Sequence, residues 1–134
     1  MTVQNWDIDD DLKSTMTIIC TTNVSQLLVE LFCHATRIIA KEVDPKPIKI
    51  IFTSHQFQII INENLWAIYI KDMIIYDVNK IETLRDCRMI IAILLEELVH
   101  AYFSISDELE ASLKVVELYP EIQCDPETGR YILP

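Results

Sequence analysis

The sequence predicts a single α+β domain: an N-terminal helix, a small, mostly antiparallel sheet, a central helix that carries the chemistry, and a following C-terminal helix. Three observations predict it. Apolar residues recur at helical spacing from Leu27 to Ile39. Four short runs rich in β-branched and aromatic residues then follow between Ile48 and Asn79, separated by polar breaks. From Leu84 to Ile105 the chain is apolar again, free of Gly and Pro and too long for an ordinary strand. A length of 134 residues is about one domain's worth, and 51% hydrophobic content is ample for one packed core.

Taken in order, residues 1–12 are acidic with little periodicity and read as an irregular arm, with Trp6 and Ile8 positioned to pin it to the body. Thr15 to Cys20 reads as a short strand. A helix is expected from Val24 to Glu42, capped by Asn23 and ended by Asp44-Pro45-Lys46-Pro47. The strand candidates are IKIIFTS, QFQIIIN, LWAIYIK and MIIYDVN. Asn62-Glu63-Asn64 joins the second to the third, and Lys71-Asp72 turns the third into the fourth. Glu82-Thr83 leads into the central helix over residues 84–105. Ser106-Asp107 offers the N-cap of the next helix, and Pro120 lies just past its end. The tail holds a turn at Asp125-Pro126-Glu127-Thr128-Gly129 and a last extended piece, RYIL.

Charge and composition narrow the function. Eleven basic residues against 21 acidic ones give a net charge of −10, which repels phosphate backbones and anionic membranes. No run reaches the roughly 18 apolar residues of a membrane span, and the first residues are acidic where a signal peptide is basic. A cytoplasmic protein without nucleic-acid or membrane partners is expected. Cys20, Cys33, Cys87 and Cys124 form no CxxC pair, so buried, reduced thiols are expected rather than a zinc ribbon. Cys33-His34 sits on an amphipathic helix and reads as packing. With Gly129 the only glycine, a glycine-dependent nucleotide loop is excluded.

The central helix is apolar nearly all round, which places it inside the protein. Glu96, Glu97 and His100 interrupt it, the first and last one turn apart on one face. A buried carboxylate must find a cation or donors, or stay protonated with a raised pKa. A divalent metal held by Glu96 and His100, with Glu97 beside it as base, accounts for all three groups. A polar seam or a plain His–Glu contact accounts for them too.

The stretch EELVHAYFSISDELEASLKVVELYP resembles the active-site helices of zincin metallopeptidases of the ImmA/IrrE type. Glu97-Leu98-Val99-His100 matches the ExxH part of their HExxH signature. Glu108, Glu110, Ala111 and Leu118-Tyr119-Pro120 resemble the second helix, and MIIYDVNKIETLRD resembles the strand and approach loop. The likeness spans roughly residues 56–120. It implies a zincin-like fold and a metal-dependent hydrolase: Glu97 the base acting on a metal-bound water, His100 a ligand and Glu110 the third ligand. The signature here reads EExxH, and the step from His100 to Glu110 is shorter than in that family. Glu96 would ligate in place of imidazole, so the ion is zinc or another divalent metal, two carboxylates and one imidazole also suiting manganese. His34, His55 and Tyr119 are the candidates for stabilising an oxyanion. LWAIYIK is the candidate edge strand for binding an extended peptide, or else an ordinary strand.

Two functions therefore stand side by side: a peptidase-like hydrolase acting on a peptide or protein, and a non-catalytic zincin-like binding or regulatory module without metal, in which Glu96, Glu97 and His100 form a hydrogen-bonded polar cluster. A mean hydropathy of +0.23 also makes a homo-oligomer a reasonable partner state.

Overall fold

A computed structural model of the protein describes residues 6–54 and 66–134. The expected strand QFQIIIN, the Asn62-Glu63-Asn64 link and His55 lie outside the described residues.

The elements run α1 (Asp10–Lys13), β1 (Met16–Cys20), α2 (Gln26–Ala40), β2 (Ile48–Thr53), β3 (Ala67–Ile70), β4 (Met73–Asp77), α3 (Val78–Ile81), α4 (Cys87–Phe103), α5 (Glu108–Leu118), β5 (Gln123–Cys124) and β6 (Tyr131–Ile132). The arm expected to be irregular holds one helical turn, α1. Asp9 caps it by accepting from the Asp11 amide, and Leu12 anchors it with no exposure. Helix α2 starts two residues later than the sequence suggests. Its cap is Ser25 rather than Asn23: the Ser25 hydroxyl accepts from Leu28 N at 3.1 Å while the Ser25 amide donates to Glu82.

The main sheet, in the order β1-β2-β4-β3, is mixed, and this corrects the mostly antiparallel expectation. β1 pairs with β2 in parallel, Met16 facing Ile48, and β2 with β4 in parallel, Lys49 facing Met73; only β3 runs antiparallel, Ala67 facing Tyr76. The cause is connection geometry. Helix α2 is a crossover that returns the chain to the starting end of the sheet, which makes β2 parallel to β1. The β3–β4 hairpin then docks with β4 inward, so β4 takes the direction of β2 and β3 becomes the edge. Its turn is the expected Lys71-Asp72, with both residues at positive φ (47° and 63°), as a two-residue hairpin loop needs.

One sheet face supplies the core. Ile48, Ile50 and Phe52 of β2 and Ile74 and Tyr76 of β4 are buried there, against Phe32 of α2 and the leucines of α4. Phe52 stacks on Tyr76 with ring centroids 5.2 Å apart, Phe32 meets both edge-on, and Trp6 stacks on Phe52, pinning the arm as expected. On the opposite face Ile19, Ile51, Ile75 and Ile68 align in one cross-strand row.

Helix α4 lies against α2, β3 and β4. Its apolar surface is consumed on nearly all sides, with Ile90, Ile91, Leu94, Leu95, Leu98, Val99 and Ala101 buried. The Tyr76 hydroxyl fixes its height over the sheet by donating to the Leu94 carbonyl at 2.6 Å. Among the described residues no single helix is long and apolar enough to cross a membrane.

Candidate metal centre

The side chains of α4 that face neither α2 nor the core look into a cavity of about 760 Å³ between that helix and the sheet edge. Trp66 to Tyr69, at and around β3, form one wall; Ile93, Glu96, Glu97 and His100 form the floor; Ser104 to Ser106 and Glu108 close the far side. Helix α4 ends at Ser104 in the left-handed conformation, φ 54° and ψ 38°, and α5 departs at a bend of 109°. Asp107 caps α5 by accepting from the Glu110 amide at 2.8 Å. The bend turns the first residue of α5 back over α4.

His100 is buried and doubly fixed. Nδ1 lies 2.5 Å from the Ile105 carbonyl, which can only accept, so Nδ1 carries a proton. Nε2 points at Glu108 Oε2, 3.4 Å away. In the neutral ring Nε2 is therefore the free lone pair, the tautomer of a metal-ligating histidine braced by a carbonyl. Burial opposes a charge on this ring, but the Ile105 carbonyl and the Glu97, Glu108 and Glu96 carboxylates outweigh it and raise its pKa.

Glu96 is half-buried. Its Oε1 accepts from the Tyr131 hydroxyl at 2.6 Å and from the Ser112 hydroxyl at 3.1 Å. Desolvation raises its pKa, partly offset by the Tyr131 hydrogen bond. Glu97 is 6% exposed, and its carboxylate lines the cavity. Burial raises its pKa to about 8; His100 pulls it down, while Glu96 and Glu108 push it up. Such a group at neutral pH is poised between acid and base.

Ligand atoms of Glu96, His100 and Glu108 all lie within 4.8 Å of one another, a spacing that can hold a metal ion. Of the residues singled out from sequence, Glu96, Glu97 and His100 come together. Glu110 does not join them: it lies two residues and so some 200° round α5 from Glu108, and Glu108, itself an exposed side chain, faces the group in its place. His34 and Tyr119 also stand apart from the cavity, their rings set edge-on to each other at 6.4 Å. Sequence reading did not place Glu108 in the group, and missed Ser112 and Tyr131 altogether. The i, i+4 spacing of Glu108 and Ser112 was the one available signal, since it puts both on one face of α5. Nothing local marked Tyr131.

The donor set fits a divalent ion on chemical grounds: two carboxylates and one imidazole are accepted donors for zinc and suit manganese, and both Glu96 and His100 are braced by outer partners. Set against known proteins, the chain matches no family model, no curated protein and no solved structure.

Proposed function

We propose that the protein is a metal-dependent hydrolase of zincin-like, peptidase-like chemistry, with a divalent ion held by Glu96, His100 and Glu108 and with Glu97 as the base. One observation carries the reading: the largely buried Glu97 carboxylate lines a cavity beside three convergent ligand groups, Glu96, His100 and Glu108. Retaining such a group against its desolvation cost makes sense where it must move a proton.

When bound, the ion supplies Lewis acidity toward a water and a substrate carbonyl. Glu97 takes the proton from the attacking water and passes it to the departing amine. His100, held by Ile105, keeps Nε2 directed into the cavity throughout. The outer edge of β3, which lines the cavity and has no neighbour among the described strands, offers main-chain groups to an extended peptide. Trp66 and Tyr69 provide apolar surface beside it.

A second reading is favoured by the state of Glu96, whose Oε1 is already satisfied by two hydroxyls. A carboxylate so bonded is stable without an ion, as in a non-catalytic binding or regulatory module. Metal analysis of untagged protein separates the two. Stoichiometric zinc or manganese, lost in Glu96→Ala, His100→Ala and Glu108→Ala but kept in Glu110→Ala and Glu97→Gln, supports the hydrolase, and peptide cleavage should then vanish in Glu97→Gln. Wild-type protein that takes up neither ion supports the module.

A further inference from the structure

The C-terminal hairpin reaches the candidate metal centre through one side chain. β5 and β6 pair antiparallel, Cys124 facing Tyr131, around a loop whose first residue, Asp125, accepts from the Glu127 and Thr128 amides through its side chain and from Gly129 through its carbonyl. Gly129 has a φ of 77°, and a Cβ there would lie 3.0 Å from Ser112 Oγ. Glycine takes that backbone shape without strain, and its lack of a side chain spares the Ser112 hydroxyl a tight contact where the loop approaches α5. The close approach delivers the Tyr131 hydroxyl to Glu96, 35 residues away in sequence.

We propose that Tyr131 is a positioning residue that makes Glu96 a competent metal ligand, so that the C-terminal hairpin is part of the centre; this rests on the metal-binding reading above. A carboxylate differs from an imidazole in having two equivalent oxygens and a freely turning terminal bond. The phenol and the Ser112 hydroxyl both end on Oε1, which fixes the rotation of the group and leaves Oε2 for the ion. With Glu96 ionised, as a metal ligand must be, both bonds are charge-assisted and stronger than neutral ones. They do for a ligating glutamate what the Ile105 carbonyl does for His100. The hydroxyl of Tyr131 therefore matters because residue 96 is Glu, not because the hairpin needs it to fold.

That dependence sets the experiment: zinc and manganese affinities of wild type, Tyr131→Phe, Glu96→His and the double variant, from competition with a chromophoric chelator. With Glu at 96, Tyr131→Phe should weaken binding about 10–100-fold, the usual effect of losing an outer-shell partner. With His at 96 the same change should cost little. Ser112→Ala removes the other donor from a separate element and should show the same dependence. Ile132→Ala, on exposed β6 surface, should leave affinity unchanged. An equal loss in both backgrounds makes Tyr131 merely structural and overturns the proposal. Tight wild-type binding that Tyr131→Phe leaves intact overturns it alone, whereas a wild type that binds neither ion overturns the metal-binding reading and this inference together.

Discussion

The imidazole of His100 is held at Nδ1 by the carbonyl of Ile105, 2.5 Å away, across a turn that begins with Ser104 in the left-handed region. A residue with a Cβ loses roughly 1–2 kcal/mol in that conformation, and the turn it opens brings the Ile105 carbonyl to the ring. Ser104→Gly should therefore stabilise the protein by about 0.5–1 kcal/mol, the relief of strain being partly offset by the greater freedom of glycine in the unfolded chain. The midpoint of thermal unfolding should rise by a few degrees with metal affinity unchanged. A lowered midpoint would show that the Ser104 side chain contributes something the backbone geometry does not account for.

Tyr76, packed against α4, and Tyr102, within it, make opposite uses of a hydroxyl. Tyr76 donates to the Leu94 carbonyl at 2.6 Å, whereas the buried hydroxyl of Tyr102 has no hydrogen-bond partner among the described residues, and burial lifts that phenol to about 12. Removing a satisfied hydroxyl should destabilise by about 1 kcal/mol, and removing an orphaned one should stabilise by a similar amount. The urea midpoint should then fall for Tyr76→Phe and rise for Tyr102→Phe, the slope being unchanged in both. If both variants shift the same way, the Tyr102 hydroxyl is satisfied.

What could be read from sequence was what local physics decides. Saturation of α4 with apolar residues told its burial, the Lys71-Asp72 turn told the β3–β4 hairpin, and Asp107 told the start of α5. Parallel pairing was illegible because strand direction depends on where α2 sends the chain, and alternating Ile and Val look alike in either direction. The exchange of Glu110 for Glu108 hangs on the rotation of α5 after the bend, set by a non-glycine residue at positive φ that the sequence does not advertise. Tyr131 was out of reach for a similar reason: only the approach of Gly129 to Ser112 brings it to Glu96.

The carboxylates beneath the cavity also fix how the metal-free protein responds to pH. Glu97 binds its proton up to about pH 8 in the fold but only to 4.5 as an ordinary carboxyl, so across that window the folded chain holds a proton that the unfolded chain has released. Stability must therefore fall as pH rises through the window. Glu96, also raised, acts in the same direction. So does His100: its folded pKa lies above 6.5, and the stability gained from its protonated form is lost as pH climbs past the folded value. Chelator-treated wild type should thus melt at progressively lower temperature from mildly acidic to mildly alkaline pH, and Glu97→Gln, which cannot ionise, should flatten much of that slope. Zinc or manganese should reverse the trend in the wild type, since both require the deprotonated ligands and bind more tightly as pH rises. A metal-free protein that gains stability with pH, or a Glu97→Gln variant that keeps the wild-type slope, would mean that the Glu97 carboxylate is ionised in the fold and that the cavity is wetter than its 6% exposure implies.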